Sequence, residues 1–135
     1  MRQRNADVDP HSIRERIGAV REEYPELEVG LHLHDSRGLG AACVFAALEM
    51  GVRHFDSSIG GLGGCPFARV KNHSAAGNIC TEDMVHLCHE LGIETGIDLD
   101  ALIDAAQLAE DIVGRPLMGR VMHSGSLSEY RAAKQ

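Results

Sequence analysis

The stretch that decides the fold is residues 30–59, GLHLHDSRGLGAACVFAALEMGVRHFDSSI. Residues 27–34, which begin three positions before this stretch, alternate in the manner of a β-strand. Residues 52–59 predict a second strand. Between them, residues 39–50 are small and apolar and predict a helix that ends at Gly51, a good C-terminal cap. A strand, a helix and a strand in this order indicate an α/β fold with parallel strands.

A further helix is predicted before this stretch. Asp9 is suited to cap it and Pro10 to occupy its first turn, and Pro25 stops it. Its apolar residues recur at helical spacing and are Ile13, Ile17, Val20 and Tyr24.

Two more helices are predicted after a glycine-rich loop. The first covers residues 81–92, and the apolar residues expected to face inward are Met84, Leu87, Cys88 and Leu91. The second covers residues 98–114 and is capped by Asp98. The apolar residues expected on one face of it are Leu102, Ile103, Ala106 and Val113.

Composition limits the classes of function. With 135 residues, 44% of them hydrophobic, the chain has the length of one domain and enough apolar side chains for a core. A net charge of −7 without a basic stripe argues against nucleic acid as a partner, and no apolar run approaches the roughly 18 residues of a membrane helix. Four cysteines without CxxC spacing favour a reduced, cytoplasmic protein.

Two strands are too few for a finished sheet. A (β/α)8 barrel takes about 250 residues, so this chain would supply only part of one. We expect a partial (β/α)8 TIM barrel over residues 9–121, made of C-terminal βα units with extra C-terminal helices. Residues 1–8 are expected to form a polar tail and residues 122–135 a weakly ordered one.

His32 and His34 are two residues apart at the end of the first predicted strand. On a strand this spacing puts both imidazoles on one face, and the carboxyl ends of barrel strands are where such folds place their active sites. The pair therefore makes a metal site plausible. The alternative is two polar side chains on a half-exposed strand.

Cys65 and Asn78 both follow the glycines of residues 60–64. Cys65 lies between Gly64 and Pro66 in a loop without apolar periodicity, which favours thiol chemistry over packing, with a structural turn as the alternative. Asn78 precedes a predicted helix and would serve as a turn residue, although its amide oxygen also suits Mg²⁺ or Mn²⁺.

Three motifs in order carry a family resemblance: HLHD at residues 32–35, GGLGGCP at residues 60–66, and GNICTED at residues 77–83. From about residue 9 to 121 the sequence resembles the C-terminal part of the 3-hydroxy-3-methylglutaryl-CoA lyase family. Related isopropylmalate and homocitrate synthases share the HxH strand, but they lack the cysteine loop.

This resemblance implies a (β/α)8 barrel that binds Mg²⁺ or Mn²⁺ and cleaves hydroxymethylglutaryl-CoA into acetyl-CoA and acetoacetate. It implies that His32, His34 and Asn78 bind the metal and that Cys65 is needed for catalysis. His32 is also the candidate for proton transfer at the substrate hydroxyl, and the loop glycines Gly63 and Gly64 would let the loop close over an acyl-CoA substrate.

Two departures from the family pattern are visible. The family carries an arginine and a metal-binding aspartate on its first barrel strand, a part that these residues do not include. The link between Cys65 and Asn78 is also longer than in the family, with residues 69–74, RVKNHS, as the insertion.

These departures leave several alternatives open. The chain would act with a complementing N-terminal half or as a homo-oligomer, or it is an inactive remnant or interaction module of the family. A related acyl-CoA aldolase or synthase is the third alternative.

Overall fold

A computed structural model describes residues 8–64 and 77–134. The elements of this part of the chain are α1 (Pro10–Glu23), β1 (Gly30–His32), α2 (Gly40–Glu49), β2 (His54–Asp56), a 3₁₀ turn (Ile59–Gly61), α3 (Thr81–Glu90), α4 (Leu99–Val113), α5 (Val121–Ser124) and α6 (Leu127–Ala132). The described residues divide into two compact units. The first contains residues 8–56, Gly64 and Gly77, and the second contains residues 57–63 and 78–134.

In the first unit, α1 begins as predicted. The Asp9 side chain accepts a hydrogen bond from the Ser12 backbone N–H at 2.8 Å, and the Ser12 hydroxyl accepts one from the Asp9 N–H at 3.0 Å. This reciprocal pair satisfies two donors that a helix start otherwise leaves unpaired. Ile13 and Ile17 are buried where α1 packs on α2, whereas Tyr24 is half exposed.

β1 and β2 pair in parallel, as predicted, with Gly30 opposite His54 and His32 opposite Asp56. Each strand has only three residues and is therefore shorter than the predicted eight-residue segments. The reason is that alternation along the sequence extends further than the hydrogen-bonded ladder, and only paired residues count as strand.

The second unit is built around α3, α4 and the 3₁₀ turn. Asp98 caps α4 by accepting hydrogen bonds from the N–H groups of Asp100 and Ala101, as predicted, and Gly114 ends the helix with a φ of 70°. A core cluster forms between α4 and the chain beyond it, with partly buried residues of the turn region packed against it. The buried members of this cluster are Ala106, Leu117 and Met122.

The inward face of α3 differs from the prediction. Glu82, Val85 and Cys88 are the buried residues of this helix, whereas Leu91, expected inside, is 42% exposed. Met84 and Leu87 are half-buried. The apolar pattern alone predicts the wrong buried face of α3, because it treats every carboxyl group as exposed. Glu82 is buried, since it has a hydrogen-bond donor elsewhere in the fold.

The predicted weakly ordered segment from residue 122 onward contains the rest of α5 and all of α6. Its first residue, Met122, is fully buried. In the described part of the chain, no helix is both long and apolar enough to cross a bilayer.

Candidate functional site

The imidazoles of His32 and His34 converge at the end of β1. Their Nε2 atoms lie 3.2 Å apart, and the rings meet edge to face with centroids 5.1 Å apart. Leu33 between them is buried, so the alternation of the strand turns Leu33 into the core and both histidines to the opposite face. The predicted convergence of the pair is confirmed.

The spacing of the two nitrogens fits a shared cation. Ligand nitrogens about 2.1 Å from one ion and at right angles to each other are separated by about 3.0 Å. A direct hydrogen bond between the rings is the other arrangement compatible with 3.2 Å, and it requires one ring to donate to the other. The separation of 3.2 Å therefore agrees with a shared cation and with a hydrogen bond between the rings.

The other nitrogen of His32 faces the neighbouring strand. Its Nδ1 lies 3.9 Å from the Asp56 carboxylate, the residue directly opposite in the parallel register. This distance is too long for a hydrogen bond but close enough for attraction between a ring N–H and the carboxylate. Because both side chains are largely exposed, this attraction is weak.

Asp35, the residue after the histidine pair, fixes the chain at the strand end. Its side chain accepts a hydrogen bond from the Gly40 N–H at 2.8 Å, at the start of α2. Its own N–H donates to the Gly77 carbonyl at 3.1 Å. A side chain at Gly40 would collide with the Asp35 carboxylate, so glycine is required for this close approach.

The side-chain amide of Asn78 is hydrogen-bonded through its nitrogen. Its Nδ2 donates to the Leu62 carbonyl at 3.0 Å, which fixes the orientation of the amide. Its Oδ1 is buried and has no hydrogen-bond partner among the described residues. A buried oxygen without a partner costs free energy unless something binds it, so Asn78 fits the role of an oxygen ligand.

Gly63 makes room for this amide. The glycine adopts a φ of +85°, and a Cβ atom there would lie 2.8 Å from the Asn78 Nδ2. Gly64, the other loop glycine of the prediction, is exposed. Cys65 and the insertion at residues 69–74 lie outside the described residues, so the predicted roles of both stay predictions.

The structure places the predicted residues in both units. His32 and His34 come together in the first, and Asn78 belongs to the second. Within residues 8–64 and 77–134, no group of three or more His, Cys, Asp or Glu side chains is placed to hold a metal ion. A cation bound by the histidine pair would therefore need ligands beyond the described His, Cys, Asp and Glu side chains.

Cys43 and Cys88 behave as small hydrophobic residues on helices, and the inward position predicted for Cys88 is confirmed. Both are buried, and burial raises the pKa of each thiol because the thiolate is poorly solvated there. Neither is therefore a candidate nucleophile.

Glu82 is the polar residue of this region that the sequence did not single out. Its side chain is fully buried, and both carboxyl oxygens lie 3.1 Å from the backbone nitrogen of Gly60. Burial is the main cause that raises its pKa, while the hydrogen bond from Gly60 and the charge of His123 act in the opposite direction. In the sequence, the features that could have indicated the buried Glu82 are the glycine pair at residues 60 and 61 and the TED segment at residues 81–83.

Comparison with known proteins agrees with the resemblance. A profile of the HMGL-like family matches residues 7–109. An (R)-citramalyl-CoA lyase from Chloroflexus aurantiacus is 47% identical over 106 residues, which are 78% of this chain and 32% of that protein. The hydroxymethylglutaryl-CoA lyase YngG of Bacillus subtilis is 38% identical over 113 residues, covering 84% of this chain and 36% of that protein.

A solved structure gives the same result for the fold. The HMG-CoA lyase from Acinetobacter baumannii, in complex with coenzyme A and 3-methylmalate, superposes with a TM-score of 0.79 at 42% identity. The match covers 88% of this chain and 38% of that one, so the chain spans about a third of the length of these relatives. The α/β fold matches part of the HMG-CoA lyase structure, and the chain belongs to the HMGL-like family.

Proposed function

We propose that this chain is the metal-binding portion of an acyl-CoA lyase that breaks a carbon–carbon bond in a thioester with a tertiary 3-hydroxyl group. The substrate that the family resemblance favours is hydroxymethylglutaryl-CoA, with acetyl-CoA and acetoacetate as products. The observation that carries the proposal is the convergence of the His32 and His34 Nε2 atoms at 3.2 Å at the end of β1.

The architecture we propose is part of a (β/α)8 barrel over residues 9–121. The parallel pair β1 and β2 and the flanking helices α1 and α2 support it, because barrels repeat this unit. The remaining strands would come from a complementing N-terminal segment or from a second copy of the chain.

We propose that His32, His34 and Asn78 hold a divalent cation, Mg²⁺ or Mn²⁺. The family resemblance supports this ligand set, and within each unit the spacing of the two nitrogens and the partnerless Asn78 Oδ1 agree with a ligand role. Two imidazoles favour Mn²⁺ over the more oxygen-selective Mg²⁺. When bound, the cation would supply Lewis acidity toward the hydroxyl oxygen of the substrate.

The bond changes of the reaction define what the protein must do. The hydroxyl loses its proton, the C–O bond becomes a carbonyl, and the C2–C3 bond breaks with its electron pair left on C2 as a thioester enolate. Protonation of C2 then completes acetyl-CoA. The chain must therefore supply one group that accepts a proton and another that donates one.

We assign the donor role to Cys65 on the basis of the family resemblance, with Gly63 and Gly64 shaping the loop that carries it. His32 is the candidate acceptor. A neutral imidazole has one lone pair, so His32 cannot bind a cation and accept a proton through the same Nε2. While Nε2 binds a cation, Nδ1 carries the ring hydrogen and has no lone pair, so the ligand role and the proton-acceptor role of His32 are alternatives.

(R)-Citramalyl-CoA is a second candidate substrate, favoured by the 47% identity to the Chloroflexus enzyme. It carries the same tertiary hydroxyl and methyl group, and it is one methylene shorter on the carboxylate arm. Cleavage gives acetyl-CoA and pyruvate in place of acetoacetate. One methylene is worth only about 1–3 kcal/mol of discrimination, so one site could process both at different rates.

The test is an assay with each thioester and Mg²⁺ or Mn²⁺, using the chain alone and together with the separately expressed N-terminal two-thirds of the Chloroflexus relative. We expect acetoacetate or pyruvate from the complemented sample and loss of product in the His34→Ala variant. His11→Ala is the matched control, because His11 is an exposed histidine on α1 that lies beside Glu15.

If no sample forms either product, the enzyme proposal fails for this chain. A remnant or interaction module would then be the better description. If the proteins leave the carbon–carbon bonds of both acyl-CoA substrates intact but condense acetyl-CoA with a keto acid, the result would instead support a synthase or aldolase.

A further inference from the structure

The 3₁₀ turn Ile59–Gly61 connects a buried carboxyl group to the proposed metal ligand Asn78. On one side of the turn, the N–H of Gly60 donates to the Glu82 carboxyl oxygens at 3.1 Å. Gly60 is itself buried, so its N–H has no solvent to replace this partner. Glu82 therefore satisfies a donor that would otherwise be costly to bury.

The turn is further held by its own backbone. The N–H of Gly61 donates to the Ser58 carbonyl and the N–H of Leu62 donates to the Ile59 carbonyl, both at 3.1 Å. Gly60 adopts a φ of +59°, and a Cβ atom there would collide with Leu117. The position of Leu62 at the end of the turn is thus tied to that of Gly60.

On the other side of the turn, the Leu62 carbonyl accepts the hydrogen bond from the Asn78 Nδ2. This bond decides which way the amide points, and therefore where the buried Oδ1 lies. The path runs from the Glu82 carboxyl group to the Gly60 N–H, along the backbone of the turn to Leu62, and from the Leu62 carbonyl to the Asn78 amide. The hydrogen bonds at its two ends measure 3.1 and 3.0 Å.

We propose that Glu82 is a positioning residue for Asn78: its buried carboxyl group holds the Ile59–Gly61 turn, and the turn sets the orientation of the Asn78 amide through Leu62. This inference rests on the proposed function only where it calls Asn78 a ligand. The hydrogen bond from the Gly60 N–H requires an acceptor oxygen on residue 82, and this oxygen need not be charged. Burial raises the pKa of Glu82, which agrees with a group that works when neutral.

The chain offers a discriminating set of variants. Glu82→Gln keeps a carbonyl oxygen of the same shape that can accept from the Gly60 N–H. Glu82→Met fills a similar volume and accepts no useful hydrogen bond. Val85→Ala is the control for general loss of packing, because Val85 is buried on the same helix, 2% exposed, and has no part in the path.

The experiment is two-dimensional NMR of the ¹⁵N-labelled full chain without metal. For Glu82→Met we expect the Gly60 amide to exchange about tenfold faster relative to amides of α4. We also expect the side-chain NH₂ resonances of Asn78 to shift. Glu82→Gln should keep the wild-type values of both, and Val85→Ala should lower the melting temperature without moving either.

Two results would overturn the inference. One is an unchanged Asn78 NH₂ resonance in folded Glu82→Met, and the other is loss of Gly60 protection in Glu82→Gln. If Glu82→Met fails to fold, Glu82→Gln alone tests the inference, because this variant must keep the wild-type protection of the Gly60 amide in either case.

A titration of the same proteins with Mn²⁺ separates this inference from the proposed function. We expect several-fold weaker Mn²⁺ binding for Glu82→Met and wild-type binding for Glu82→Gln. Absence of Mn²⁺ binding by every protein, wild type included, would count against the proposed function, and the NMR result would still decide the role of Glu82.

Discussion

Glu110 and His123 form a hydrogen-bonded pair, with the His123 Nε2 2.9 Å from a carboxylate oxygen of Glu110. The other ring nitrogen of His123 lies 2.7 Å from the Gly119 carbonyl, so both nitrogens face acceptors. This arrangement favours the imidazolium and raises the pKa of His123, chiefly through Glu110. The Leu117 N–H, followed by His123, lowers the pKa of Glu110.

We predict that this pair makes stability depend on pH. Because the pKa of His123 is raised above 6.5 on folding, its contribution is complete below pH 6.5 and is lost as the pH rises through the raised value. Because the pKa of Glu110 is lowered below 4.5, its contribution is present above pH 4.5 and is lost as the pH falls through the lowered value. The pair is therefore most effective between these limits.

The measurement is the melting temperature of wild type and His123→Gln from about pH 5 to pH 9. The difference should be largest near the acidic end of this range and shrink toward the alkaline end. Arg131→Gln is the control, since it removes an ion pair, Arg131–Glu90, that contains no histidine. A difference for His123→Gln that stays constant with pH would contradict the prediction.

Met122 and Met118 give a matched pair for the C-terminal segment. Met122 is fully buried with Ala106 and Leu117, whereas Met118 is 59% exposed. We expect Met122→Ala to lower the free energy of unfolding by about 3 kcal/mol. Met118→Ala should change it by less than about 0.5 kcal/mol. Urea denaturation measures both, and equal effects would show that the segment after α4 does not belong to the core.

Gly63 and Gly92 separate backbone strain from the contact with Asn78. Both have positive φ, +85° and +72°, but only a Cβ atom at Gly63 would meet a side chain, the Asn78 amide. We expect both alanine variants to lose about 1–2 kcal/mol of stability from strain. Only Gly63→Ala should also weaken Mn²⁺ binding. Isothermal titration calorimetry tests this, and equal Mn²⁺ affinity of the two variants would refute it.

The histidine pair predicts a selective loss of metal affinity. Removal of one of two converging nitrogens by His34→Ala should weaken Mn²⁺ binding by more than about tenfold. His11→Ala should leave it unchanged, because His11 is exposed on α1 and lies beside Glu15 at 3.3 Å. Water-proton relaxation reports bound Mn²⁺ directly. Comparable affinity of the two variants would mean that the pair is held by a hydrogen bond between the rings and binds no cation.

Local chemistry made parts of the structure predictable. The start of α1 follows from Asp9 and Pro10, since capping and a fixed φ act within a few residues of the chain. The convergence of His32 and His34 follows from the two-residue period of a strand, once the strand is recognised. The parallel pairing of β1 and β2 follows from the helix between them.

The buried face of α3 was beyond such local rules. Counting apolar residues places Leu91 inside and Glu82 outside, and the structure has the reverse. A carboxyl group is buried only where a specific donor meets it, and here that donor is a backbone N–H of Gly60, 22 positions away. The same holds for the orientation of Asn78, which depends on the Leu62 carbonyl.

The hydrogen bond between Leu62 and Asn78 joins the two ends of the segment that carries Cys65. Since both ends are anchored in the same unit, residues can be added between them without moving either anchor. Doubling the length of such a closed segment costs only about 0.6 kcal/mol of chain entropy. A longer link between Leu62 and Asn78, such as the one that RVKNHS at residues 69–74 is expected to provide, would therefore cost little free energy and leave the Leu62–Asn78 hydrogen bond in place.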